Sequence, residues 1–218
     1  MRRRVIEEIC ERKIIAILRG LNEQEAVETA RALCDGGIRL VEVTFDQKSP
    51  QRFGETAQTI RAIKDQLGDR LTVGAGTVTS PELVSLAADA GAAYIISPDT
   101  DKAVIRATLE RGLVSIPGAY TPTEAKQAYE AGADFVKLFP CVGNAPAYVK
   151  AVCAPFNHIR FLAVGGVNAD NAADFLRAGA VGVGVGGNLV NKDWIKAGDY
   201  GRVRKEAEKY VAAVGLLK

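Results

Sequence analysis

One lysine lies within an apolar segment and is the side chain best suited to covalent chemistry. Residues 134–140 read DFVKLFP, which surrounds Lys137 with side chains that cannot hydrate an ammonium group. Burial there would lower the pKa of the amine toward neutrality, and a neutral buried lysine is a nucleophile that can form a Schiff base. The alternative is that Lys137 lies at a strand end and extends its long stem to solvent.

An acid occupies an equally apolar segment, residues 39–45, which read RLVEVTF. Side chains alternate along a strand, so Glu42 and Thr44 share one face and the valines share the other. An acid between valines fits poorly against covering helices, so we expect Glu42 to face the interior, within proton-transfer reach of Lys137 directly or through one water. A structural ion pair is the alternative interpretation of Glu42.

Two further polar residues close predicted strands. Thr77 ends the segment GAGT, where glycines allow backbone to approach a ligand, and Arg19 ends the first strand with five donors for a carboxylate or phosphate. The alternatives are an ordinary turn residue and a surface salt bridge.

The last two predicted strands end in glycines. Gly165 and Gly166 follow one strand, Gly187 and Asn188 follow the next, and each pair leads toward a helix N-terminus. Backbone N–H groups in such loops often bind phosphate, although glycines also relieve crowding in tight turns.

These residues belong to a repeating pattern of apolar strands and amphipathic helices. We predict a (β/α)8 TIM barrel with an extra N-terminal helix, as one domain over residues 1–218. A barrel is favoured over an open doubly wound sheet because eight regular units occur and no GxGxxG follows the first strand. Predicted strands cover 13–20, 39–45, 71–78, 94–98, 113–118, 134–140, 159–166 and 181–187, and predicted helices include 50–67, 101–111, 121–131, 145–152 and 168–178.

Composition argues against several classes of protein. A net charge of +2 with scattered basic residues predicts no nucleic-acid partner, and the apolar runs are too short for a membrane helix. We do not expect the N-terminal residues to act as a signal peptide, because two acids interrupt the apolar stretch, and the four cysteines have no CxxC spacing. We therefore expect a cytoplasmic protein with reduced thiols, no metal and no cofactor.

Short motifs in a fixed order carry a family resemblance. The chain resembles the KDPG/KHG aldolases, class I enzymes that cleave 2-keto-3-deoxy-6-phosphogluconate or 4-hydroxy-2-oxoglutarate to pyruvate and an aldehyde. The motifs are ILR at 17–19, VEVTF at 41–45, GAGTV at 74–78, ISP at 96–98, PG at 117–118, VKLFP at 136–140 and VGGV at 164–167.

The resemblance implies a role for each candidate residue. Lys137 would form the Schiff base and Glu42 would be the general acid/base. The remaining roles are substrate binding by Arg19, Thr44, Thr77, Pro98 and Phe139, and phosphate binding by Gly165, Gly166, Gly187 and Asn188. The resemblance also implies a homotrimer acting on a small 2-keto acid, without a cofactor.

Three positions depart from the family pattern. Asp46 stands where some members carry an arginine for the pyruvyl carboxylate, and Asn188 replaces a frequent serine. Val164 stands where many gluconate-specific members have threonine, and resembles members that act on the galactonate epimer. The alternatives to an aldolase are another phosphate-binding barrel enzyme, such as a sugar-phosphate epimerase or thiamine-phosphate synthase, and a non-catalytic barrel that binds a phosphorylated ligand.

Overall fold

Helices and strands alternate along most of the described part of the chain. The computed structural model describes residues 1–143 and 145–215. The strands are β1 Ile14–Leu18, β2 Leu40–Thr44, β3 Thr72–Gly76, β4 Tyr94–Ile96, β5 Val114–Ile116, β6 Gly118–Ala119, β7 Val136–Leu138, β8 Phe161–Val164 and β9 Gly182–Val185. The helices are α1 Arg2–Arg12, α2 Glu23–Asp35, α3 Phe53–Leu67, α4 Pro81–Asp89, α5 Lys102–Glu110, α6 Pro122–Glu130, α7 Ala145–Cys153, α8 Ala172–Arg177, α9 Lys192–Lys196 and α10 Tyr200–Gly215, with a 3₁₀ turn at Pro50–Arg52.

The strands form one parallel sheet that curves into a nearly closed barrel. Their order is β5-β4-β3-β2-β1-β9-β8-β7-β6. The two end strands, β5 and β6, are separated in the chain only by Pro117, which has no N–H to donate, although its carbonyl accepts from Lys137 N at 2.9 Å. The barrel prediction is therefore confirmed, and the predicted fifth strand corresponds to β5 and β6 together.

One predicted helix begins later than expected. The sequence predicted a helix from Asn168, but α8 begins at Ala172. The Asn168 side chain accepts from the backbone N–H groups of Asp170 and Asn171, at 3.0 and 2.9 Å, so the chain forms a side-chain-stabilised turn before the helix. The other predicted helices agree with the structure to within about two residues.

Two apolar cores lie on opposite faces of the sheet. The larger packs the outer faces of the strands against the helices and includes Val136 and Leu138. The smaller lies inside the barrel and includes Leu40, Tyr94 and Phe135.

Helix α1, the predicted extra helix, covers the N-terminal end of the barrel. Its Val5 and Ile9 are one turn apart and belong to the interior core, and burial of such a side chain contributes about 1.5–3 kcal/mol. Glu8 accepts a hydrogen bond from Thr72 at 2.7 Å. Arg2 donates two hydrogen bonds to Asp134, at 3.1 and 2.7 Å. No described helix has the length and apolar character needed to cross a membrane.

Candidate active site

Lys137 and Glu42 both face the interior of the barrel. On β7, the neighbours Val136 and Leu138 pack outward against helices, so alternation turns Lys137 inward above Phe135. On β2 the same alternation places Glu42 above Leu40. Lys137 is 6% exposed and Glu42 is 2% exposed. The strand-end alternative for the lysine is therefore wrong.

The ionisable groups of Glu42 and Lys137 lie on opposite sides of the barrel, because three strands separate β2 from β7 along the sheet. Burial lowers the pKa of Lys137; the Glu42 carboxylate opposes this effect and the Arg19 charge adds to it. Burial likewise raises the pKa of Glu42 against the effects of Lys137 and Arg19. Both shifts favour neutral forms, and a neutral amine beside a carboxyl group of raised pKa suits nucleophilic attack and proton transfer.

The Glu42 carboxyl group occupies space that a glycine leaves open. A Cβ built on Gly76 would lie 1.6 Å from Glu42 Oε1 and 2.3 Å from its Cδ. Gly74 similarly makes room for the Tyr94 ring, which would lie 2.2 Å from a Cβ there. We predicted that these glycines admit a ligand, but in the structure their immediate neighbours are protein side chains.

Tyr94 is an interior residue that the sequence reasoning missed. Its hydroxyl donates to the carbonyl of Val41 at 2.5 Å. Burial raises its pKa well above the usual value, and the charges of Glu42 and Glu8 raise it further. It is therefore a neutral hydrogen-bond donor next to the acid. Two glycines on the inward face of β3 could have indicated a large neighbouring side chain.

Arg19, Thr77 and Thr44 lie at the C-terminal ends of adjacent strands. The Arg19 guanidinium donates to the Thr77 hydroxyl at 3.4 Å. Thr77 has a φ of 56°, a conformation that costs a residue with a side chain about 1–3 kcal/mol. Thr44 is buried, and its hydroxyl donates to the carbonyl of Leu18 at 3.5 Å.

Phe139 and Pro98 follow β7 and β4, so they lie at the same C-terminal end of the barrel as Arg19, Thr44 and Thr77; this end is the opening of the barrel, because α1 covers the other end. The Lys137 side-chain nitrogen is 4.7 Å from the centroid of the Phe139 ring, and Phe139 is 38% exposed. The Pro98 carbonyl packs against Gly118, where a Cβ would lie 2.3 Å from that oxygen. Gly118 is paired with Lys137 in the sheet, so Pro98 lies near the strand that carries the lysine.

The predicted phosphate residues lie on two loops that contact each other. Asn188 donates its side-chain amide to the carbonyl of Val167 at 2.9 Å, and this bond joins the loop after β9 to the loop after β8. Gly165 and Gly166 have φ values of 102° and 67°. Asn171, which the sequence reasoning did not identify, donates to the Gly166 carbonyl at 3.0 Å.

Metal ligands do not converge in the described ranges 1–143 and 145–215, where no group of three His, Cys, Asp or Glu side chains is placed to hold an ion. All four cysteines are free thiols. The polar side chains at this end of the barrel include those of Lys137, Glu42, Arg19, Thr44 and Thr77.

Known proteins resemble the chain over nearly its whole length. A family model described as KDPG and KHG aldolase matches residues 5–206. The chain is 41% identical over 177 residues to the 2-dehydro-3-deoxy-6-phosphogalactonate aldolase of Escherichia coli K12, covering 81% of this chain and 83% of that protein. It is 34% identical over 206 residues to the 2-dehydro-3-deoxy-phosphogluconate aldolase of Treponema pallidum, covering 94% and 95%. A solved structure described as native KDPGal superposes with a TM-score of 0.83 at 37% identity, covering 93% of this chain and 94% of the other.

Proposed function

Because the chain belongs to the KDPG and KHG aldolase family, we propose that it is a class I aldolase that cleaves a 2-keto-3-deoxy-6-phospho sugar acid to pyruvate and glyceraldehyde 3-phosphate. The observation that carries the proposal is the pair of buried, inward-facing groups, Lys137 and Glu42. Cleavage of 4-hydroxy-2-oxoglutarate to pyruvate and glyoxylate is the second candidate reaction.

Lys137 is the proposed nucleophile. Its neutral amine attacks the C2 ketone, and loss of one water gives an iminium ion that withdraws electrons from C3. The C3–C4 bond then breaks, its electron pair forms an enamine, and Glu42 takes the C4 hydroxyl proton through a water as the aldehyde leaves. Protonation of the enamine at C3 and addition of one water release pyruvate and restore the amine. The raised pKa of Glu42 supports its role as proton acceptor and donor.

Residues around the opening would hold the two ends of the substrate. We assign Arg19, Thr77 and Thr44 to the oxygens of the keto acid, and Phe139 and Pro98 to the walls around the pyruvyl group. We assign the substrate carboxylate to Arg19, because position 46, where some family members have an arginine, is an aspartate whose negative charge would repel the carboxylate. The phosphate is assigned to Gly165, Gly166, Gly187 and Asn188, whose two loops are joined by the Asn188 bond to Val167.

The galactonate epimer is the preferred substrate in this proposal. Val164 is 7% exposed and packs against Gly184, where a Cβ would lie 2.8 Å from Val164 Cγ2. An apolar side chain at this strand end has no hydroxyl to bond a C4 hydroxyl of the other configuration. The Escherichia coli relative named for the galactonate compound agrees with this choice.

We also propose that the protein is a cytoplasmic homotrimer. Tyr120 and Val142 are large apolar side chains that are 51% and 67% exposed, and their exposure supports a subunit interface. The cytoplasm contains the phosphorylated sugar acids that the reaction requires. Sedimentation velocity analysis would test the trimer.

Covalent trapping tests the proposed reaction. Borohydride added with pyruvate should reduce a Schiff base and add the mass of one reduced pyruvyl group at Lys137, whereas Lys137→Ala should show no adduct. Equal labelling of both proteins would refute the assignment. Cleavage rates with the galactonate and gluconate 6-phosphates and with 4-hydroxy-2-oxoglutarate would then rank the substrates.

A further inference from the structure

Gln47, in the loop after β2, joins two strand ends at the opening of the barrel. Its side-chain nitrogen donates to the backbone carbonyl of Thr77 at 2.8 Å. Its side-chain oxygen accepts from the hydroxyl of Thr79 at 3.0 Å. Because the amide nitrogen and the amide oxygen of Gln47 each have a partner, the two bonds together fix the orientation of its side chain.

The segment that Gln47 binds has an unfavourable backbone conformation. Apart from Lys13 at the end of α1, Thr77 is the only described residue other than glycine with a positive φ. Such a conformation persists only where neighbouring groups hold it. The bonds on this segment include the Gln47 bond to the Thr77 carbonyl, the backbone bond from Val78 N to Ile96 O at 3.2 Å and the backbone bond from Phe45 N to Gly76 O at 2.9 Å.

The conformation of Thr77 affects the groups assigned to the substrate. Its hydroxyl accepts from Arg19, so rotation of the Thr77 backbone would move the hydroxyl away from the guanidinium. Gly76, the preceding residue, lies directly against the Glu42 carboxyl group. Gln47 itself is exposed, so its contribution does not come from core packing.

We infer that Gln47 is a positioning residue for substrate binding: it holds Thr77 in the left-handed conformation that presents the Thr77 hydroxyl and Arg19 to the keto acid. The inference rests on the proposed function, which assigns these two groups to substrate oxygens. Gln47 does not take part in proton transfer or covalent bonding. Its loss should therefore weaken binding and leave the chemical step almost unchanged.

The test uses the dependence of borohydride trapping on pyruvate concentration, together with KM and kcat for cleavage. In Gln47→Ala, the pyruvate concentration for half-maximal trapping and the KM should rise about tenfold, because fewer molecules have the binding-competent loop. The kcat should stay within about twofold of the wild type. Gln51→Ala, the same substitution at an exposed position on the adjacent 3₁₀ turn, should leave all three values unchanged.

Two further variants separate positioning from a general structural effect. Gln47→Glu preserves the side-chain volume and the acceptor for Thr79 but removes the donor to Thr77, so it should also raise the KM. In a Thr77→Gly background, adding Gln47→Ala should change the KM less than twofold, because glycine adopts positive φ without strain and the hydroxyl is already absent.

The outcomes distinguish the inference from the proposed function. A wild-type protein that forms no pyruvate adduct would overturn the proposed function, and the inference with it. If the wild type forms the adduct, an unchanged KM in Gln47→Ala and Gln47→Glu would overturn the inference alone. An undiminished effect of Gln47→Ala in the Thr77→Gly background would also overturn it.

Discussion

Substitution of Gly76 by alanine should inactivate the enzyme without removing any functional side chain. The new Cβ would lie 1.6 Å from Glu42 Oε1, whereas real Cβ contacts are not below 3.0 Å, so the oxygen must move by about 1.4 Å. A displacement of about 1 Å in a reacting group can reduce the rate about 100-fold. Because Gly76 has no positive φ, alanine brings no backbone strain and the effect is steric.

The substitution should also reduce stability, because an added methyl group in a packed interior costs about 1–3 kcal/mol. Steady-state cleavage would be followed by coupling pyruvate release to lactate dehydrogenase, and urea unfolding would give the stability. Gly54→Ala is the matched control: it lies in α3, and its Cβ would meet nothing within 4 Å. This control should retain full activity and the same or slightly higher stability.

A double-mutant cycle identifies the cause of the lost activity. If Gly76→Ala acts by displacing the carboxyl group, it should reduce the rate about 100-fold in the wild type and have little effect in a Glu42→Ala background. A folded Gly76→Ala protein with wild-type kcat would refute the reasoning. A full additional loss in the Glu42→Ala background would show that the methyl group acts elsewhere.

Two further predictions concern charge and hydrogen bonding inside the barrel. Burial lowers the pKa of Lys137, the Glu42 charge opposes this effect and the Arg19 charge adds to it. The pH at which the rate of Lys137 modification by cyanate is half-maximal should therefore lie below that of a free lysine, rise in Arg19→Ala and fall in Glu42→Gln; shifts of the opposite sign would contradict the electrostatic account. Tyr94→Phe should lower the free energy of unfolding in urea by about 0.5–1.5 kcal/mol, because the buried hydrogen bond from the Tyr94 hydroxyl to the Val41 carbonyl is lost, whereas the exposed Tyr129→Phe should be neutral; equal unfolding curves for both would show that the bond contributes nothing.

The barrel and its charged pair were predictable because they depend on local patterns. Alternation along a strand is a property of consecutive residues, so the valines beside Glu42 and the apolar neighbours of Lys137 indicate which way each side chain faces. Repeated strand and helix units likewise indicate parallel strands covered by helices.

Contacts between distant loops were not predictable in the same way. Gln47 and Asn171 are polar residues in turns, and their hydrogen-bond partners depend on the curvature of the sheet and on which loops it brings together. A helix was predicted from Asn168, but the backbone N–H groups of Asp170 and Asn171 donate to its side chain and form a turn instead. The role of Tyr94 depends on the space left by Gly74 on the adjacent strand.

Helix α1 has a consequence for the sequence of events in each catalytic cycle. Because Val5 and Ile9 fill the N-terminal end of the barrel, the proposed substrate would enter and leave through the C-terminal opening. In the proposed mechanism the half of the substrate joined to Lys137 would be the inner half, so the phosphorylated aldehyde would depart before pyruvate. In the reverse direction pyruvate would enter first, and an aldehyde that arrived too early would obstruct it.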